Sequence, residues 1–124
     1  MELERIVTLL RDGGVVACPT ETLYGLLADA LNERAVARVS AIKRRRATDP
    51  IAVIIPSLEA ALGLVTELPD AARELGGRYW PGPLTLVLRA RPGLPAALTR
   101  DGKIGVRVPG QSPALELVRA FGGP

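Results

Sequence analysis

The sequence predicts an α/β sheet sandwich forming one domain over residues 1–124. Three observations carry that expectation. Short apolar, β-rich runs recur along the chain: Val15-Val16-Ala17-Cys18, Ile51-Ala52-Val53-Ile54-Ile55, Leu84-Thr85-Leu86-Val87-Leu88 and Ile104-Gly105-Val106-Arg107-Val108. Segments with helical spacing of apolar residues lie between them. Proline or glycine closes most of the junctions, as a buried strand ending at a turn requires.

The elements follow in order. Leu3, Ile6, Val7 and Leu10 fall at helical spacing, and Gly13-Gly14 stops that helix at its carboxyl end. The strand 15–18 runs into Pro19. Asn32 is a good N-cap for a helix that turns Ala35, Val36, Val39 and Ile42 to one face and ends among Lys43 to Arg46. Pro50 and Pro56 bracket the strand 51–55. Ser57 reads as the N-cap of a helix with Leu58, Ala61, Leu62 and Val65 inward, and a further helix runs from Pro69 to Tyr79. Trp80-Pro81-Gly82-Pro83 is a tight rigid turn, with Trp80 a core residue. The strand 84–88, the loop Arg91-Pro92-Gly93-Leu94-Pro95 and the strand 104–108 follow, and Ser112 caps a last helix carrying Leu115, Leu117 and Val118. Four strands make a small sheet whose edges want more cover. Gly122-Gly123-Pro124 falls where a loop should begin, so the domain reads as incomplete at its carboxyl end. An uncovered edge there would favour a homodimer.

Composition narrows the chemistry. Apolar residues make up 48% of the chain, which suits a globular protein. Sixteen basic against thirteen acidic residues give a net charge of +3, a mild excess that fits polyanionic partners. With no histidine and one cysteine, a zinc site or a His-based triad is unavailable. Cys18 reads as a small core residue, and a lone cysteine suits a reducing cytoplasm. The start Met1-Glu2-Leu3-Glu4-Arg5 lacks the order of a signal peptide, and no apolar stretch approaches a membrane span.

The informative stretch is Pro19-Thr20-Glu21-Thr22-Leu23-Tyr24-Gly25. Open α/β sheets bind ligands at the carboxyl ends of their strands, and here that position carries two threonines, a glutamate and a tyrosine. Gly25 then lets the backbone pass close to a ligand. Further on, Lys43-Arg44-Arg45-Arg46 is the densest positive charge in the chain. Hydroxyls paired with a cationic cluster point to a small hydroxylated or anionic substrate. Thr20 and Thr22 also suit a plain turn in which they satisfy backbone groups. Arg107, on an otherwise apolar strand, needs a counter-charge, whether from a ligand or from a structural ion pair.

Four motifs in register extend this reading: GGVVACPTETLYGLLADA, then K-x-R-x-x-x-x-P from Lys43 to Pro50, WPGPLTLVL from Trp80, and VRVP from Val106. Together they span residues 13–113, and the chain resembles the YrdC/Sua5/TsaC family of threonylcarbamoyl-adenylate synthases. The resemblance implies a twisted mixed sheet flanked by helices around a positively charged concave cavity. It implies condensation of L-threonine, bicarbonate and ATP to threonylcarbamoyl-AMP and pyrophosphate, with Mg²⁺ bridging the phosphates. The product would pass to a threonylcarbamoyl-transferase complex acting on adenosine 37 of tRNA.

Carried over by position, Thr22 stands beside the threonine substrate, Thr20 and Tyr24 shape that pocket, and Arg107 holds the threonine carboxylate. Lys43 and Arg45 face the ATP phosphates as the catalytic cations. Asp49, where relatives often have asparagine, and Lys103, where they tend to have threonine, lie near the nucleotide. Ile54 occupies a position that is often histidine in relatives, and the family's Ser-x-Asn motif would fall beyond Pro124. No side-chain nucleophile is required, which accommodates a chain without histidine. Two other readings stand beside the synthase: a module binding double-stranded RNA through the basic concavity, and the carbamoyl-transfer domain of hydrogenase maturation proteins. The P-T-E-T-x-Y-G form favours the synthase branch over the latter.

Overall fold

The computed structural model describes residues 3–22, 24–43 and 51–124; the side chain of Lys43 lies outside that description. Its element order is α1 (Leu3–Arg11), β1 (Val16–Pro19), β2 (Tyr24–Leu27), α2 (Glu33–Lys43), β3 (Val53–Ile54), a 3-10 helix (Glu59–Gly63), α3 (Asp70–Tyr79), β4 (Leu86–Arg89), a 3-10 turn (Ala96–Leu98), β5 (Thr99–Arg100), β6 (Lys103–Arg107) and α4 (Pro113–Phe121).

The strands form two sheets. β1 and β2 pair antiparallel, with Cys18 opposite Gly25 and Pro19 opposite Tyr24. β6 is the hub of the other sheet: β4 runs antiparallel along one side, while β3 (parallel) and β5 (antiparallel) pair with successive parts of the strand. The mixed sheet expected from the resemblance is therefore present. The described residues hold six strands where four were expected. The extra pair arises because Tyr24–Leu27 folds back on β1 and Thr99–Arg100 on β6, segments too short to show a period of their own.

Local chemistry sets most boundaries. Asn32 Oδ1 accepts the Ala35 N–H at 3.1 Å and Ser112 Oγ accepts the Leu115 N–H at 3.3 Å, so the caps expected at Asn32 and Ser112 form, whereas the helical segment after Ser57 has Leu58, which supplies no side-chain cap, at its N-cap position. Gly122, left-handed at φ 80°, ends α4. The segment after Ser57 winds into a 3-10 helix rather than an α-helix, and Leu62 faces solvent instead of the core. Ile42 is exposed as well, because α2 buries only the face of Ala35, Val36 and Val39. The strand expected over 51–55 pairs only at Val53 and Ile54. Trp80 packs against the core and its Nε1–H donates to the Leu84 carbonyl at 2.6 Å, closing the Pro81–Pro83 turn.

Two apolar clusters hold the layers together. The larger gathers Val53, Ile55, Leu86, Ile104 and Val106 from the sheet with Leu64, Leu98 and Leu115. The smaller joins Leu10 of α1, Cys18 of β1 and Leu117 of α4. Ile54 packs against both. Among the described residues no helix is long and apolar enough to cross a membrane.

Cys18 is buried in the smaller cluster, and desolvation raises its thiol above the ordinary value. Native protein should therefore react with a disulfide reagent only as fast as it opens, as a stopped-flow thiol assay would read. The raised thiol also fixes a sign for stability. The unfolded chain ionises first, so this contribution is intact below about pH 8.5 and declines as pH rises above it.

Candidate active site

The site grows from two strand ends. β1 stops at Pro19, and in the turn that follows, Thr20 Oγ1 lies 3.1 Å from Thr22 Oγ1 and accepts the Thr22 N–H at 3.2 Å. This is the local hydroxyl-to-backbone turn that threonines favour. It leaves Thr22 exposed, with Glu21 between the two threonines turned inward and half-buried.

Glu21 reaches the far end of β6. Its Oε1 accepts from Arg107 Nη2 and its Oε2 from the Gly110 backbone N–H. The two side chains retain only 17% and 19% of their exposure, a setting in which a charge needs its partner. A Cβ on residue 110 would lie 2.6 Å from Oε2, so this close approach requires glycine. The loop holding Gly110 is itself fixed: Ser112 Oγ donates to the Gly110 carbonyl at 2.8 Å, and the Gly82 N–H donates to the Val108 carbonyl at 2.9 Å. Among the described residues Arg107 Nε is buried and has no acceptor. The guanidinium is thus tied down on one nitrogen and left with donor capacity.

Alternation along β6 defines the rest. Ile104 and Val106 point into the core, so Lys103, Gly105 and Arg107 share the opposite face. Opposite Lys103 stand Arg89 and Arg100, and opposite Gly105 stands Val87, largely exposed. This open face bounds a hollow of about 350 Å³ lined by Ile51, Ala52, Thr85, Arg100, Asp101 and Lys103 among others. At its floor, a Cβ on residue 105 would come within 3.3 Å of Thr85 Cγ2, so Gly105 keeps the depth of the hollow. Its charge is predominantly positive.

The structure therefore ties the turn that carries Thr20 and Thr22 to Arg107 through Glu21, and places Lys103 at the other end of the same strand face. Tyr24, expected to shape the pocket, starts β2 with 78% of its surface exposed. Lys43 closes α2, and the chain is next described at Ile51, whose N–H donates to the Ala97 carbonyl at 3.0 Å beside the hollow. Arg45, Asp49 and the Lys43 side chain lie outside the described residues. Sequence reasoning placed Glu21 at the strand end but gave it no role. Its available signal was the unpaired arginine: a lone cation on an apolar strand calls for a carboxylate, and the P-T-E-T turn supplies one.

Against known proteins, the model of the Sua5/YciO/YrdC family, described as telomere recombination, matches residues 8–124. The chain belongs to the Sua5/YciO/YrdC family. A threonylcarbamoyl-AMP synthase of Pyrococcus abyssi is 44% identical over 110 residues, covering 88% of this chain and 32% of that protein. One from Chromobacterium violaceum is 45% identical over 114 residues, covering 91% of this chain and 59% of that protein. Among solved structures, P. abyssi Sua5 complexed with L-threonine superposes with a TM-score of 0.92 at 39% identity, covering 98% of this chain and 36% of that one. The chain thus spans about a third of the archaeal relative and about three-fifths of the bacterial one. The α/β fold with its mixed sheets is that of the Sua5 and YciO structures.

Proposed function

We propose that this chain carries the substrate-binding core of an L-threonylcarbamoyladenylate synthase. The observation that carries the reading is Arg107, on the same face of β6 as Lys103 and tied through Glu21 to the turn that carries Thr20 and Thr22. The similarity to threonylcarbamoyl-AMP synthases, and to a Sua5 structure complexed with L-threonine, supports it.

In this reading Arg107 takes the threonine carboxylate, since a planar guanidinium matches two carboxylate oxygens. Thr20, Thr22 and Tyr24 contact the amino acid. Lys43 and Arg45 neutralise the ATP phosphates, and Asp49 and Lys103 border the nucleotide. The threonine amine and bicarbonate give a carbamate with loss of water. A carbamate oxygen then attacks the α-phosphorus, and the bond to pyrophosphate breaks. Catalysis is orientation and charge neutralisation, with no covalent enzyme intermediate. A Mg²⁺ ion carried on the ATP phosphates would supply further charge neutralisation there. The product passes to a threonylcarbamoyl-transferase complex for tRNA modification, in the cytoplasm.

Pyrophosphate release from ATP should require both L-threonine and bicarbonate, followed in a coupled assay with each omitted in turn. Release indifferent to threonine would reject the reading. Duplex RNA binding that falls steeply with salt and ignores ATP would assign the basic face to RNA instead.

A further inference from the structure

We propose that the gap between β2 and β3 seats an added β-strand: an extended segment of small residues from the part of the family's polypeptide that has no counterpart in this chain. The proposal rests on membership of the Sua5/YciO/YrdC family and on the geometry of the gap, so it stands or falls apart from the synthase reading. Three observations carry it. First, among the described residues β2 pairs only with β1, and β3 only with β6. The Ile55 N–H donates to the Arg107 carbonyl of β6 at 2.9 Å, so alternation turns the Ile54 N–H the other way, toward the gap. Second, apolar recesses of about 60 and 30 Å³ open on opposite faces of the gap and share Leu27, Ala28, Ile54 and Pro124. Val36 and Val39 of α2 wall the first, and Leu117 and Phe121 of α4 wall the second. Residues 26–28 and 51–54 line the first recess consecutively. A strand face would offer only every second residue, so strand edges bound this recess. Third, Pro124 stands at the mouth, where its carbonyl accepts the Ala30 N–H at 3.3 Å, and this chain covers 59% of the C. violaceum synthase.

Two unpaired edges facing one slot are a template for a further strand. A segment seated there takes the Ile54 N–H and the outer edge of β2 into one ladder and joins the two sheets into a continuous one. Its main-chain bonds supply affinity, and the two recesses, filled by alternate side chains, supply specificity. Helices cover both faces, so the segment carries no charged residue at its buried positions. The recesses have room on the order of two water molecules and one, which admits glycine, alanine or serine and excludes leucine or phenylalanine.

The test titrates the full ¹⁵N-labelled chain with synthetic peptides of about ten residues, a strand with its flanks, that tile the unmatched part of the C. violaceum synthase. Amide hydrogen exchange is followed by nuclear magnetic resonance. One stretch of small residues should bind and slow exchange of the Ile54 N–H and of β2 amides by about tenfold or more, leaving α3 unchanged. The same peptide methylated on alternate backbone nitrogens keeps its side chains but loses donors, and should bind about tenfold more weakly. Ala28→Trp, which fills the slot at a residue common to both recesses, should abolish binding. The methylated peptide on the wild-type chain decides the matter if that variant does not fold. The proposal is overturned if no peptide slows exchange at Ile54, if the methylated peptide binds as well as its parent, or if folded Ala28→Trp binds unchanged. It is equally overturned if the chain alone is a dimer whose Ile54 exchange speeds up on dilution, which would give the gap to a second copy.

Discussion

Arg107→Ala should weaken L-threonine binding by about thirtyfold to five-thousandfold while leaving ATP affinity within a fewfold of the wild type. The range follows from the roughly 2–5 kcal/mol lost when one partner of a buried, hydrogen-bonded charge pair is truncated. The same change strands Glu21, which keeps the Gly110 N–H but loses its cation in a half-buried position. A drop of about 1–3 kcal/mol in unfolding free energy should accompany the binding loss, readable by denaturant titration. Calorimetry with each ligand separates the two effects. A loss confined to ATP would remove Arg107 from the threonine pocket.

The second large effect concerns the cationic cluster. Lys43→Ala combined with Arg45→Ala should lower ATP affinity by about a hundredfold or more, since each charge-assisted contact to phosphate is worth about 1.5–3 kcal/mol. Threonine affinity should stay near the wild-type value. α2 ends at Lys43, and Ile51, where the described chain resumes, borders the hollow on the open face of β6. The binding deficit should shrink as salt rises, because part of what is lost is long-range attraction. Unchanged nucleotide affinity in the double variant would detach this cluster from the site.

Much of this architecture was readable from residue patterns. The proline-stopped runs became β1 and β3, the caps at Asn32 and Ser112 formed as their side-chain chemistry requires, and Cys18 is buried. The failures have physical causes. Ile42 and Leu62 fit a helical period, yet period alone does not say how wide a face the neighbours cover, and both remain in water. Tyr24–Leu27 is four residues long and joined to β1 by a short turn rich in polar side chains, so its strand character is hidden behind that turn. The parallel pairing of β3 with β6 and the Glu21–Arg107 link connect residues far apart in the chain. No local signal carries such contacts; only the unmet charge of Arg107 announced that one had to exist.

The alternation of β6 has an evolutionary corollary. Lys103 and Arg107 sit an even number of positions apart, so inserting or deleting one residue between them would swing one of them through the sheet into the hydrocarbon interior. A change of two residues would restore both to the water side but alter their span by about 7 Å. The length of this strand is therefore quantised. Lineages that remodel the hollow should do so by exchanging side chains at fixed positions, and indels should collect in the connecting turns.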